Sequence, residues 1–97
     1  MRKIEEKMLY ACPKGKNWCS GNTRVVSFTS NDERPVSRVF LYGHELGEWF
    51  RDTGTFEVKI STLKTWPTVT TRSRLRALGV DVRQQDGHQI LNGERIV

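Results

Sequence analysis

Thr55-Phe56-Glu57-Val58-Lys59-Ile60 is followed, beyond Trp66 and Pro67, by Thr68-Val69-Thr70-Thr71-Arg72-Ser73-Arg74-Leu75-Arg76-Ala77-Leu78-Gly79. Between these two stretches the hydrophobic period changes, and that change sets the class of fold. In the first, Phe56, Val58 and Ile60 alternate with Glu57 and Lys59, which places three apolar side chains on one face of a strand. In the second, Thr68 is an N-cap, Thr71, Leu75 and Leu78 recur at helical spacing, and Gly79 stands where a left-handed C-terminal residue belongs. A helix over residues 68–78 packed on strands predicts an α+β domain.

Toward the C-terminus, Val80, Val82, Ile90, Leu91 and Ile96 are interrupted by Asp86-Gly87 and Asn92-Gly93. These are the two strongest hairpin dipeptides, so the chain should end in a three-stranded β-meander. Toward the N-terminus, residues 45–52 are ambiguous. Leu46, Trp49 and Phe50 have helical spacing, but Gly47 and the preceding Gly43-His44 turn favour an irregular strand. Residues 36–42 and 23–28 are apolar and β-branched, and read as strands. Residues 11–22 contain Pro13, Gly15, Asn17 and Gly21 and read as loop, while residues 1–10 read as loose or as a short helix bearing Ile4, Met8 and Leu9. The expectation is one domain over residues 1–97, a small, strongly twisted antiparallel sheet packed by one short helix.

A chain of 97 residues has room for one core. No apolar run approaches the roughly 18 to 20 residues of a membrane helix, and the polar start Arg2-Lys3-Ile4-Glu5-Glu6-Lys7 is unlike a secretory signal, so a cytoplasmic protein with no membrane association is expected. The net charge of +5 is unevenly placed. Residues 1–24 hold six Lys or Arg against Glu5 and Glu6, and residues 64–78 hold Lys64, Arg72, Arg74 and Arg76 with no acid. Clustered cations of this kind are either a solvated face or the footprint of a nucleic acid, whose phosphates release counterions on contact. The candidate nucleic-acid contacts are Lys14, Lys16 and Trp18, where charge interleaves with an aromatic ring, together with Arg72, Arg74 and Arg76. For Trp66, between strand and helix, core packing is the simpler reading.

Catalytic signatures are missing. His44-Glu45-Leu46-Gly47-Glu48 puts Glu where the helical zinc-protease motif needs its second His, and Lys14-Gly15-Lys16 lacks the spacing of a phosphate loop. Cys12 and Cys19 match neither a zinc ribbon nor a redox pair, and with His44 and His88 they form no recognisable ligand spacing. No metal, cofactor or enzymatic activity is expected.

Three clusters occur in order: Ser20-Gly21-Asn22-Thr23-Arg24-Val25, then Val39-Phe40-Leu41-Tyr42-Gly43-His44, then Trp66 to Leu78 with its Thr-Thr-Arg-Ser-Arg-Leu run. Together, over roughly residues 20–79, they resemble a family of small, mostly uncharacterised bacteriophage proteins. That family carries Gly-Asn-Thr-x-Val, a Leu-His-Gly-Asn hairpin and a Trp-x-Thr-x-Thr-Thr-basic-x-Arg-Leu helix start. Tyr42 and His44 depart from its usual His and Asn, and residues 45–52 form an acidic insertion. The resemblance implies a phage origin and a compact β-rich domain with one helix. By association it implies an accessory protein that binds a host protein in the host cytoplasm, as a modulator or inhibitor. The alternative is a nucleic-acid-binding module using the two basic blocks. An exposed strand edge could also make a homodimer.

Overall fold

The computed structural model describes residues 2–96 and is a mixed α+β domain with two antiparallel sheets and three helices. α1 (Lys3–Lys14) leads into β1 (Trp18–Ser20), β2 (Thr23–Thr29), β3 (Pro35–Leu41), β4 (His44–Phe50) and β5 (Thr55–Val58). These strands form one sheet in sequence order. α2 (Ile60–Thr65) and α3 (Val69–Ala77) follow, and β6 (Val82–Gln85), β7 (His88–Leu91) and β8 (Glu94–Arg95) make the second sheet.

The expected strands over residues 23–28, 36–42 and 45–52 are present as β2, β3 and β4, and the C-terminal meander is present with left-handed Asp86-Gly87 and Asn92-Gly93 at its turns. The expected helix is α3, whose Thr68 Oγ1 accepts from the Thr71 amide at 3.1 Å.

Two expectations are corrected. The N-terminal segment, of which Met1 lies outside the described residues, takes the helical one of its two readings, as a 12-residue helix that buries Glu5, Met8, Ala11 and Cys12. It also runs into the stretch read as loop, because Pro13 sits in the last turn and Gly15 closes the helix with a Schellman turn in which the Lys16 amide reaches Ala11 O at 3.1 Å. Finally, the alternation through Ile60 ends early. The Lys59 amide makes the last bond to β4, at Leu46 O, and the Thr62 amide then bonds back to Lys59 O, so Ile60 opens α2 instead of finishing β5. Among the described residues there are therefore three helices, not one.

One face of the large sheet carries the core. Val25, Val39, Leu41 and Leu46 pack with Met8, Ala11 and Cys12 of α1, Leu63 of α2, Leu75 of α3 and Leu78 at its C-terminus, and Val82 of β6. Between β3 and β4 the register runs from Val39↔Gly47 to Phe40↔Glu45, so Leu46 is the extra residue of a β-bulge. Past the bulge Leu46 enters the core and Glu45 turns to the other face.

That second face is held by charge. Arg38 lies 4.7 Å from the Phe28 ring centre, donates to Glu48 at 2.9 Å and sits as an ion pair 3.3 Å from Glu45, while Arg34 lies 4.0 Å from the Phe50 ring and pairs with Asp52. Val36 is buried here between its cross-strand partners Phe28 and Phe50.

Both cysteines are free, with Cys12 buried and Cys19 exposed. Burial pushes the Cys12 thiol up to about 12. A thiolate is the reactive species. One equivalent of a maleimide should therefore label Cys19 in the native protein near about pH 8, with Cys12 reacting only on unfolding. Mass spectrometry finding both labelled at similar native rates would refute this.

Candidate recognition surface

The three arginines of the second basic block do not share a surface. Arg74 is 3% exposed, and its Nη1 bonds Glu5 Oε2 of α1 at 2.7 Å. Its Nε donates to Thr23 Oγ1 at 3.0 Å and its Nη2 to Asn22 Oδ1 at 3.3 Å. Ser73 Oγ donates to the same Glu5 oxygen at 2.6 Å. Burial works to raise the Glu5 carboxyl, but the bonds from Ser73 and Arg74 and the charge of Arg74 outweigh it and hold Glu5 below the usual carboxylate range. Arg72 is also buried and donates to Pro67 O at 2.8 Å and Gln89 Oε1 at 3.2 Å. Arg76 donates from Nε to Val82 O at 2.8 Å. Each arginine thus ties α3 to a different neighbour: Arg72 to β7, Arg74 to α1 and the start of β2, Arg76 to β6. Arg72 and Arg74, expected as nucleic-acid contacts, are enclosed among protein acceptors and act as internal clamps. The network also explains why Asn22-Thr23 and Arg72-Ser73-Arg74 occur in one chain: they meet in space.

Lys14, Lys16 and Trp18, by contrast, do come together. They stand at the junction of α1 and β1, with both lysines exposed and Trp18 half-buried. The exposed Tyr10, which no sequence signal singled out, completes that group, with Lys14 Nζ 4.4 Å and Lys16 Nζ 5.5 Å from its ring centre.

A second exposed aromatic group forms where the β3–β4 hairpin meets the connection from α2 to α3. Tyr42 and Gly43 both have positive φ, 52° and 79°, which is the two-residue turn that matches strand twist. Tyr42 at its tip is 72% exposed. His44 stacks on Trp66 with ring centres 4.3 Å apart, and Trp66 remains 47% exposed, so the expectation that Trp66 is a core residue is corrected. A cleft of about 300 Å³ opens beside this stack, walled by Leu41, Tyr42, Leu46, Trp66, Thr68 and Thr71. Another of about 420 Å³ lies against His44, Glu45, Lys59 and Thr65. Val69, the first residue of α3, adds an exposed apolar side chain. In the His44 to Glu48 segment, Glu45 and Glu48 are both engaged by Arg38, and the segment is strand, not helix. Among the described residues no group of three or more His, Cys, Asp or Glu side chains is placed to hold a metal, and no helix is long and apolar enough to cross a membrane.

The fold and these surfaces define a small α+β protein whose buried polar groups hold its own elements together while two aromatic clusters stand outside. It is a phage protein. The chain belongs to the Kyanoviridae Gp96 protein family, which matches it over residues 1–96. No curated protein and no solved structure matches it.

Proposed function

We propose that this phage protein is a non-catalytic accessory factor that works in the host cytoplasm by binding a host protein, modulating or inhibiting it, and that the Tyr42–Trp66 face makes the contact. The observation that carries this reading is Tyr42 itself. Its backbone is left-handed, a conformation that costs a non-glycine residue roughly 1–2 kcal/mol, and the chain's other two-residue turns place Gly21, Asp86 and Asn92 there, which tolerate it. A bulky ring held at such a position and left 72% exposed contributes little to the fold. Strain kept at an exposed tip points to use of the side chain elsewhere. Tyr and Trp are also the residues that most often anchor protein interfaces, because they bring large rigid area at small entropic cost.

The reading makes opposite demands on stability and binding. Tyr42→Asn is expected to raise stability by about 0.5–1 kcal/mol, or roughly 2–6 °C in Tm, because Asn accepts the left-handed conformation. The same change, combined with Trp66→Ala, should abolish capture of a discrete host protein by the tagged phage protein in host lysate at moderate salt. Equal capture by wild type and the double variant, or no specific capture by wild type, would defeat the proposal.

A further inference from the structure

We infer that the groove between Tyr10 and Trp18 binds single-stranded nucleic acid, with Lys14 and Lys16 on the phosphates and the two rings against the bases. This goes beyond the protein-binding reading and rests on different elements, α1 and β1.

The turn that makes the groove is tightly specified. Gly15 is left-handed at φ 67°, and a Cβ there would lie 2.1 Å from Arg51 Nη1. The left-handed backbone favours glycine, any larger residue would also displace the Arg51 guanidinium, and the turn swings Lys16 back beside Lys14 so that both ammonium groups gather over one tyrosine ring. Two like charges drawn to one exposed face repel each other unless an anion lies between them. Beneath them Arg51 donates to Phe28 O and Val36 O, but its buried Nε has no partner. Lys7 on α1 and Arg24 on β2 add further exposed cations. Among the described residues none of these five cations has a carboxylate within ion-pair distance, whereas Arg34, Arg38 and Arg74 all do. Glu6 is the one acid lining the groove.

The shape distinguishes a strand of nucleic acid from a simple anion. A cleft of about 390 Å³ is walled by Tyr10, Ala11 and Trp18 on its apolar side and by Lys7 and Lys16 on its charged side. Trp18, with Asn17, also lines a second hollow of about 300 Å³, along with Cys19, Arg24 and Val26. Trp18 is therefore shared by two adjacent compartments, with a cation in the wall of each. Flat rings in a cationic track are the arrangement that holds successive bases by stacking and their backbone by charge. A duplex keeps its base faces stacked inside and cannot use the rings, so a single strand is the occupant that fits.

The test is fluorescence anisotropy with labelled oligothymidylate or oligouridylate of about 12 nucleotides, within the span such sites cover. A duplex, polyphosphate and polyglutamate serve as comparators. The expected result is binding of the single strand at low salt, tighter than the comparators, with a log–log salt slope of about −2 to −3 from three to four phosphate contacts. Lys14→Gln with Lys16→Gln should flatten that slope by about 1 to 1.5. Tyr10→Ala, on an exposed position of α1, should weaken binding by about tenfold or more. Thermal unfolding of both variants keeps a folding defect apart from a binding defect. The Tyr42→Asn, Trp66→Ala protein should bind the oligonucleotide like wild type, so failure of the host-protein reading leaves this one standing. The inference is overturned by no binding at about 20 mM salt, where phosphate contacts are strongest. It is equally overturned by polyglutamate, polyphosphate or duplex binding as tightly as the single strand, by wild-type affinity in folded Tyr10→Ala and lysine variants, or by loss of binding in the Tyr42, Trp66 variant.

Discussion

Replacing Gly47 by Ala should cost about 3–6 kcal/mol, enough to leave much of the population unfolded in a domain whose total stability is of order 5–15 kcal/mol. Gly47 follows the bulge residue Leu46 on β4 and has φ 151°, where L side chains are strained. A Cβ there would lie 2.2 Å from the backbone oxygen of Glu57 and 2.8 Å from the Phe56 ring. Neither can yield freely, since Glu57 O belongs to the neighbouring strand and Phe56 is packed against the core. Gly54→Ala is the control. It has a positive φ of 70° but nothing within 4 Å of the added carbon, so only the backbone term of roughly 1–2 kcal/mol should appear. Urea unfolding of the two variants reads the difference directly, and a Gly47→Ala midpoint within about 1 kcal/mol of Gly54→Ala would show that the strand pair absorbs the clash. The consequence reaches the recognition face. The bulge sets the register by which His44 pairs with Leu41 and stacks on Trp66, so a repaired bulge would shift both from the cleft they line.

The fold was legible where the signals are local. Apolar, β-branched runs marked β2 and β3, Asp86-Gly87 and Asn92-Gly93 marked the meander turns, and Thr68 with Gly79 bracketed α3. Gly47 even announced the irregularity in β4, because a glycine inside an apolar strand often marks a bulge. What was hidden depends on distant partners. Glu5 reads as a solvated acid until Arg74, 69 residues away, is brought against it, and without that pair α1 is a fraying terminus. The alternation of Phe56, Val58 and Ile60 is compatible with a strand through Ile60, and the backbone bonds that start α2 at Lys59 leave no mark in composition. Arg72, Arg74 and Arg76 are indistinguishable in sequence from a phosphate-binding run. Their clamping role arises from the acceptors supplied by α1, β2, β6 and β7. Lys14, Lys16 and Trp18 were visible as an interleaved group, whereas Tyr10 was not, since its position next to the lysines depends on α1 continuing past Leu9. Tyr42 was visible only as a departure from a motif, and its left-handed backbone gives that departure a physical cost.

Breaking the Glu5–Arg74 pair should be the other severe lesion. Both side chains are almost fully enclosed, and removing one partner leaves a buried charge uncompensated, which typically costs 3–5 kcal/mol. Arg74→Met should reach that range, since Thr23 and Asn22 lose a donor at the same time. Glu5→Gln keeps the shape and should cost somewhat less, because the Gln oxygen still accepts from Ser73. The pair of changes together should recover part of the loss, as an apolar replacement no longer strands a charge, and a double variant as damaged as the sum of the singles would argue against direct coupling. The pH dependence separates charge from packing. Glu5 is held below its ordinary value of 4.5 in the folded state, so its contribution is complete above that pH and disappears as pH falls through the depressed folded value. The stability gap between wild type and Glu5→Gln should accordingly be widest near neutrality and shrink steadily once the pH drops below about 4.5. A gap that stayed constant into strong acid would mean that Glu5 holds its proton equally well in the folded and unfolded states, and the charge of Glu5 would then add nothing to the clamp joining α1, α3 and β2 beyond its hydrogen bonds.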